Sequence, residues 1–429
     1  MAVVQTVVAS GFRNTNSEYY RATIYMHQTT CEHNHGEIKM ASRQLKTFKA
    51  GMAILALLTA TSAHSVTLGT FDGTTVNIGG YVKLDAIFTS TSDGALAPGI
   101  GRDFYVPSKT PVGEKEQNRV FDMHARQTRV HLSTENITGG HKLKSYIEID
   151  FMVLEPPGAD ERISNSYAPR MRQAYIEYDN WLFGQTWSIF QNVDALPETV
   201  DFIGNTDAGI FVRQPQVRYT TGNLQFSVEN PETTVTLNGG GASIITDDNE
   251  LPDFVARYNY KQNDLSLAGA VLLRQLTYNN GTNIDDSTAS FGLSLSGKMM
   301  VGKDDIRFGL NTGSGMGRYI GLNVSNGAVV DNNNQLEAID STALFGSYRH
   351  LWDEKWRSNV TYSRIDIDNN VSLTGNSATK STYSVRLNLF YSAIKNLTFG
   401  GEIAHANREI ESGADGNLDR LQFMAMLAF

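Results

Sequence analysis

The last nine residues, Leu421 to Phe429, set the strongest constraint on this chain. Leu421, Phe423, Ala425, Leu427 and Phe429 share one parity, and every one is apolar. In a β-strand successive side chains point to opposite faces, so this face must be covered along its whole length. Two environments can cover it. One is the core of a soluble β protein; the other is lipid, met by the outer face of a membrane barrel with an aromatic ring at the interface. The rest of the chain decides between them.

Composition favours strands. The 429 residues include 38 Gly, 18 Tyr and 20 Phe but only 10 Pro and one Cys. Many aromatics and turn-forming glycines fit a strand-rich chain with frequent reversals. The mean hydropathy is slightly negative, and one apolar run, 50–63, is too short to span a bilayer as a helix. That run reads as the h-region of a signal peptide over 40–65. Arg43, Lys46 and Lys49 supply the basic start and Ala63-His64-Ser65 the small residues of a cleavage site. Residues 1–39 have no periodicity and read as an upstream leader outside the true reading frame, with translation starting at Met40. Cys31, Glu32, His33 and His35 have metal-ligand types, but within that leader they carry no site. No metal and no cofactor is expected. Removing the six basic and three acidic residues of 1–65 from 36 and 45 leaves 30 and 42, a formal charge of −12. No nucleic-acid partner is expected. The only Cys goes with the leader, so hydrogen-bond ladders must hold the fold, and a closed barrel supplies them completely.

From Val76 the period is two. Val76, Ile78, Gly80, Val82, Leu84, Ala86 and Phe88 form one face; Asn77, Gly79, Tyr81, Lys83 and Asp85 form the other. Strands are predicted near 76–88, 124–133, 143–151, 173–178, 181–187, 213–220, 223–230, 252–260, 264–275, 287–300, 305–313, 338–350, 356–367, 380–391, 396–406 and 420–429. Long connections, such as 89–120, 188–212 and 231–251, alternate with tight ones at Gly139-Gly140, Asp179-Asn180, Thr221-Gly222, Gln262-Asn263 and Gly302-Lys303-Asp304. Outer-membrane barrels keep that asymmetry, with long outer loops and short periplasmic turns. A soluble sandwich has no reason to. The expected fold is therefore all-β: a transmembrane antiparallel β-barrel of about 16 strands, residues 66–429, closed by pairing of its last strand with its first. Its C-terminal Phe423, Leu427 and Phe429 resemble the signal that barrel proteins present to the barrel-assembly machinery. Outer-membrane lipid and lipopolysaccharide would surround it.

Parity also lists the inner wall. Lys83, Arg129, Arg218, Arg257, Arg274, Arg307, Arg357 and Arg386 oppose apolar neighbours on the same strands. An Arg or Lys facing mid-membrane lipid costs about 2–4 kcal/mol, so these eight face the lumen, where they would attract anions. Arg129, Arg218 and Arg257 are the foremost candidates for anion preference. The connection 188–212 is too apolar for a water-washed loop: Ile189, Phe190, Val193, Leu196, Val200, Phe202 and Ile203 all need shelter. Folded into the barrel, it would form a constriction, with Asp194, Glu198, Asp201 and Asp207 projecting into the lumen opposite arginines. Fixed charges at a narrowing select ions.

Four motifs carry a family resemblance. Gly101-Arg102-Asp103-Phe104-Tyr105-Val106-Pro107, Ala159 to Ser166 (ADERISNS), Asn180 to Trp187 (NWLFGQTW) and Ala195 to Gly204 (ALPETVDFIG) resemble the DcaP-like porins of Gram-negative outer membranes. The match is dense from Val76 to about Pro231 and thin beyond. The resemblance implies a homotrimer of 16-stranded barrels in the cell outer membrane, a third long loop folded inward, and passive diffusion of small organic anions, dicarboxylates among them. Some members carry a coiled coil before the barrel; the stretch after Ser65 has no room for heptads, so trimer contacts here would run barrel to barrel. The competing reading is an outer-membrane barrel hydrolase. It needs an activated nucleophile, and no Ser-centred elbow or paired-His helix motif is found. A receptor role for the loops would accompany a pore, not replace it. Mass spectrometry of the protein from outer membranes is expected to find a mature chain starting at Val66 and no peptide from 1–39.

Overall fold

The computed structural model describes residues 65–113, 116–152 and 165–429. The leader and all of the signal peptide except Ser65 lie outside the described residues. Sixteen antiparallel staves run in chain order and close on themselves. The main sheet contains 18 strand segments. Two of them, Asn118–His124 and Arg129–Thr138, are halves of one stave, since both pair with Thr74–Thr91. Another, Ser65–Phe71, pairs only with the start of Thr74–Thr91. The residues between the expected cleavage site and the first barrel strand thus form a hairpin with it.

The closing strand Asp415–Ala428 pairs with Thr74–Thr91 from Tyr81↔Ala428 to Thr91↔Leu418. Gly80 and Phe429 exchange both backbone hydrogen bonds, at 3.1 and 3.0 Å. No other residue fits at 80. Its φ is +150°, and a Cβ there would lie 2.1 Å from the Arg129 carbonyl oxygen. This close approach sits beside the break at 125–128, where Thr128 Oγ1 accepts a bond from the Lys83 amide at 3.2 Å.

The two-sided solvent is visible residue by residue. Along Leu265–Asn279, Val271 and Leu273 are 41 % and 54 % exposed, whereas Leu272 and Arg274 are 0 % and 6 %. Leu293, Leu295, Leu310, Leu344, Leu387, Ile403, Leu421, Phe423 and Leu427 continue the outer apolar band. Trp356 stacks near Tyr391, and Trp181 near Tyr219, at the short-turn end, as an interfacial aromatic girdle does. No helix among the described residues is long and apolar enough to cross a membrane; the strands do the crossing. The tight turns use left-handed residues where expected, Asp179 at φ 50°, Asn263 at 49° and Gly222 at 57°.

Three boundaries differ from the sequence reading. The connections at 280–284 and 411–414 are tight, because Asp285–Val301, Leu397–Ile410 and Asp415–Ala428 extend further than their apolar cores suggest. The second stave starts at Asn118 rather than His124, since polar side chains there still complete the ladder above the lipid band. Outside the barrel, Thr233–Thr236, Ile244–Thr246, Ala328–Val330 and Leu336–Ala338 form a small sheet from two outer loops. Leu295→Arg is expected to cost about 2–4 kcal/mol in a denaturant titration in lipid vesicles, and Thr312→Arg, nearer the rim, about 1 kcal/mol or less.

Candidate functional site: an inward loop and the vestibules it divides

Segment 188–212 folds into the barrel and is gripped on two sides. On one side Ile189, Phe190 and Ile210 join wall residues Leu272, Phe345 and Ile365 in a single apolar cluster. Gly292 makes room for it: a Cβ there would come within 3.0 Å of the Phe190 ring. On the other side Val200 packs with Phe390 and Met424, over Gly400, whose added Cβ would meet Val200 at 3.0 Å. Leu272, Ile365, Phe390 and Met424 face inward although apolar, because the loop covers them. Of the seven loop residues expected to need shelter, Ile189, Phe190, Val200 and Ile203 are buried and Leu196 and Phe202 half-buried. Val193 is the exception at 42 % exposed: it starts the short helical turn Val193–Ala195 and faces the inner vestibule.

Polar groups fix the same loop. The Val200 amide donates to Glu402 Oε2 at 2.9 Å, and its carbonyl accepts from Lys83 Nζ at 2.8 Å. Glu198 accepts from Arg357 Nη2 at 2.6 Å and lies 3.5 Å from Arg349 Nη1. Burial alone would raise the Glu198 carboxyl, but Arg357, with Arg349 and Arg307 behind it, holds it below the usual carboxylate range. Asp201 accepts the Tyr105 amide at 3.2 Å and faces Arg386 at 3.6 Å and Arg420 at 3.9 Å.

The other two loop acids lie near arginines, Asp207 near Arg386 and Asp194 near Arg257, without a salt bridge to them. Asp207 is held by hydroxyls, from Tyr105 at 2.8 Å, Thr382 at 2.7 Å and Ser384 at 2.5 Å. Burial pushes its carboxyl above the usual range despite these donors. Asp194 is exposed, within electrostatic reach of Arg257 and Lys298.

The eight basic wall residues all lie on lumen-facing positions, in differing company. Arg274 and Arg307 are buried on Asp253 (3.1 Å) and Asp305 (2.7 Å). Arg307 also donates to the Leu196 carbonyl, and Arg386 pairs with Glu402 at 3.1 Å. Arg218 donates to the Trp187 carbonyl at 2.5 Å, and Arg257 to the Gln191 carbonyl at 2.8 Å. Lys83, Arg129 and Arg357 line the inner vestibule. Arg172, Arg349 and Arg420 were not singled out in the sequence, nor were their acids Glu148, Asp150 and Asp305. Their signal was available: Asp305 and Arg307, or Lys83 and Asp85, sit two apart on one inward face.

The loop roofs an inner cavity of about 950 Å³ on the short-turn side. Eight basic side chains line it (Lys83, Arg129, Arg172, Lys303, Arg349, Lys355, Arg357 and Lys395) against five acidic ones (Glu148, Glu198, Asp201, Asp353 and Glu354). A second cavity of about 770 Å³ lies among the outer loops. Two more loops reach inward: Tyr105, from 92–117, and Met316 and Tyr319, from 315–339, are fully buried.

The model of the DcaP outer membrane protein family matches residues 67–429. The chain belongs to this family. Among solved structures, the outer membrane channel DcaP of Acinetobacter baumannii superposes with a TM-score of 0.71 at 24 % identity, over 85 % of this chain and all of that one. A loop-deletion mutant of OmpT, an outer membrane protein of Vibrio cholerae, gives 0.51 at 12 % identity, over 83 % of this chain and all of its own. These likenesses carry the fold. No curated protein sequence matches the chain. This DcaP-family barrel is an outer-membrane channel of the porin type. Glu198→Ala leaves Arg357 without its carboxylate; the expected outcome is a stability loss on the order of 3 kcal/mol and a larger, noisier single-channel current as the loop loosens.

Proposed function

We propose that this channel conducts small hydrophilic solutes passively, prefers anions, and passes organic anions such as dicarboxylates. The observation that supports this most is the inner vestibule, where eight basic side chains face five acidic ones. Lys83, Arg172 and Arg349 are also paired with Asp85, Asp150 and Asp305 behind the lining, which leaves Lys303, Lys355 and Lys395 as its cations without an ion pair among the described residues. A formal charge of −12 on the mature chain does not oppose it. Net charge sums loops and turns, whereas selectivity follows the local field at the narrowing. Within that field the wall residues divide by task. Arg218 and Arg257 hold loop carbonyls and shape the passage. Arg129, Arg357 and Lys83 are the wall cations that meet the vestibule. Glu198 and Asp201 tie the loop to the wall, and in doing so neutralise part of it.

The same reading includes a homotrimer joined through lateral barrel contacts, insertion guided by Phe423, Leu427 and Phe429, surrounding lipid and lipopolysaccharide, and a signal peptide removed after Ser65. Phe429 supports the insertion role, since its backbone closes the barrel against Gly80.

The test is the reversal potential of refolded protein in a planar bilayer under a salt gradient, then with a dicarboxylate. Anion-side reversal, conductance steps in threes and block by the dicarboxylate are expected. Changing Arg129, Lys355 and Lys395 together to Gln removes three of the eight vestibule cations, and the reversal potential should move away from the anion side. A wild-type channel that reverses on the cation side sinks the anion reading and leaves the channel.

A further inference from the structure

The outer cavity has a chemistry of its own. Four outer loops and the strand ends beneath them enclose it, and Lys109, Arg318 and Arg408 line it. Among the described residues that line it there is no carboxylate. The rest of the lining has ten serine, threonine and asparagine side chains and seven aliphatic ones. Arg318 is already compensated, 3.3 Å from Asp253 and 3.8 Å from Glu232. Arg408 is not. Its Nε donates to Thr379 Oγ1 at 3.0 Å, and its Nη1 donates to the carbonyls of Ser108 and Thr110 at 2.9 and 3.2 Å. Those acceptors are neutral, so they fix the guanidinium plane without cancelling its charge. Nη2 is engaged by none of them. Lys109, one residue from the Ser108 carbonyl that Arg408 holds, is exposed and has no carboxylate partner among the described residues.

We propose that this outer cup is an entry site for small organic anions, with Arg408 Nη2 and Lys109 Nζ as the groups that receive a carboxylate. A half-buried guanidinium held in one orientation by neutral oxygens keeps its attraction for an incoming anion. A wall without carboxylates adds no repulsion, and low-dielectric walls focus the field at the mouth. The cup and the inner vestibule then act in series, one on each side of the inward loop. This site rests on the anion-preferring reading of the channel.

Succinate is the probe. Single channels of known orientation are held in a planar bilayer, succinate is added to the loop side or the turn side, and current interruptions are counted. Arg408→Gln with Lys109→Gln is expected to lower the interruption frequency from the loop side about tenfold, leave that from the turn side unchanged, and keep the anion-side reversal potential. Arg408 also braces the loop at Ser108, so Lys109→Gln alone is the second variant; its side chain makes no bond to lose, and a drop of about threefold is expected. Unchanged loop-side frequencies in both variants of an anion-selective channel overturn the entry site and leave the channel reading intact. A cation-selective wild type overturns both.

Discussion

Everything in this barrel depends on the ladder that closes it. Backbone groups in lipid must find partners within the protein, and a sheet can supply them all only by having no edge. Here that requirement comes down to one contact, Thr74–Thr91 against Asp415–Ala428. Once the sheet is closed, every stave has one face in lipid and one in the lumen, and period-two alternation follows along the chain. The arginines are inward for the same reason that Leu421 and Phe423 are outward. Neither placement needs a specific partner; both follow from which solvent each face meets.

The lumen obeys a second rule, set by the inward loop. A closed barrel of this size leaves room for water, and a loop enters it only if its apolar side chains and its backbone are both satisfied there. Val200 shows the two conditions met at once: its side chain is buried against Phe390 and Met424, while its amide and carbonyl are bound by Glu402 and Lys83. Gly292 and Gly400 are small where the loop needs volume. Outer-wall logic alone would make these inward positions polar. They are apolar or small because the loop, not water, is their neighbour.

This explains what could be read from the chain and what could not. Parity gave the lipid band, the stave count and the inward face of the eight basic residues, and the apolar content of 188–212 gave the inward loop, because each is a local property of one strand or one segment. It did not reveal the partners. That Glu198 meets Arg357, or Asp201 meets Arg386, depends on where a loop more than 150 residues earlier in the chain comes to rest. Asp207 illustrates the limit best. Arg386 lies within its field, but the groups that bind it are the hydroxyls of Tyr105, Thr382 and Ser384. The hydroxyls come from two segments far apart in the chain, Tyr105 on one loop and Thr382 and Ser384 on the strand Thr379–Ile394, and local reading does not join them. The missed acids of the wall are a different case. Glu148, Asp150 and Asp305 share the parity of the arginines they bind, so reading both signs of charge on the inward face would have found them.

Reading both signs also changes what an arginine-rich wall means. A guanidinium buried on a carboxylate, as Arg274 on Asp253, contributes almost no field at a distance, because the pair is close to neutral from outside it. Its role is to hold shape. A guanidinium bound only to neutral oxygens, as Arg408, is fixed just as firmly and keeps its full charge. The number of arginines in the lumen is therefore a poor measure of attraction for anions. What counts is how many are oriented by neutral acceptors and reached by solvent. By that measure Arg218 and Arg257, held by carbonyls, belong with Arg408, whereas Arg274, Arg307 and Arg386 are buried on carboxylates and hold shape.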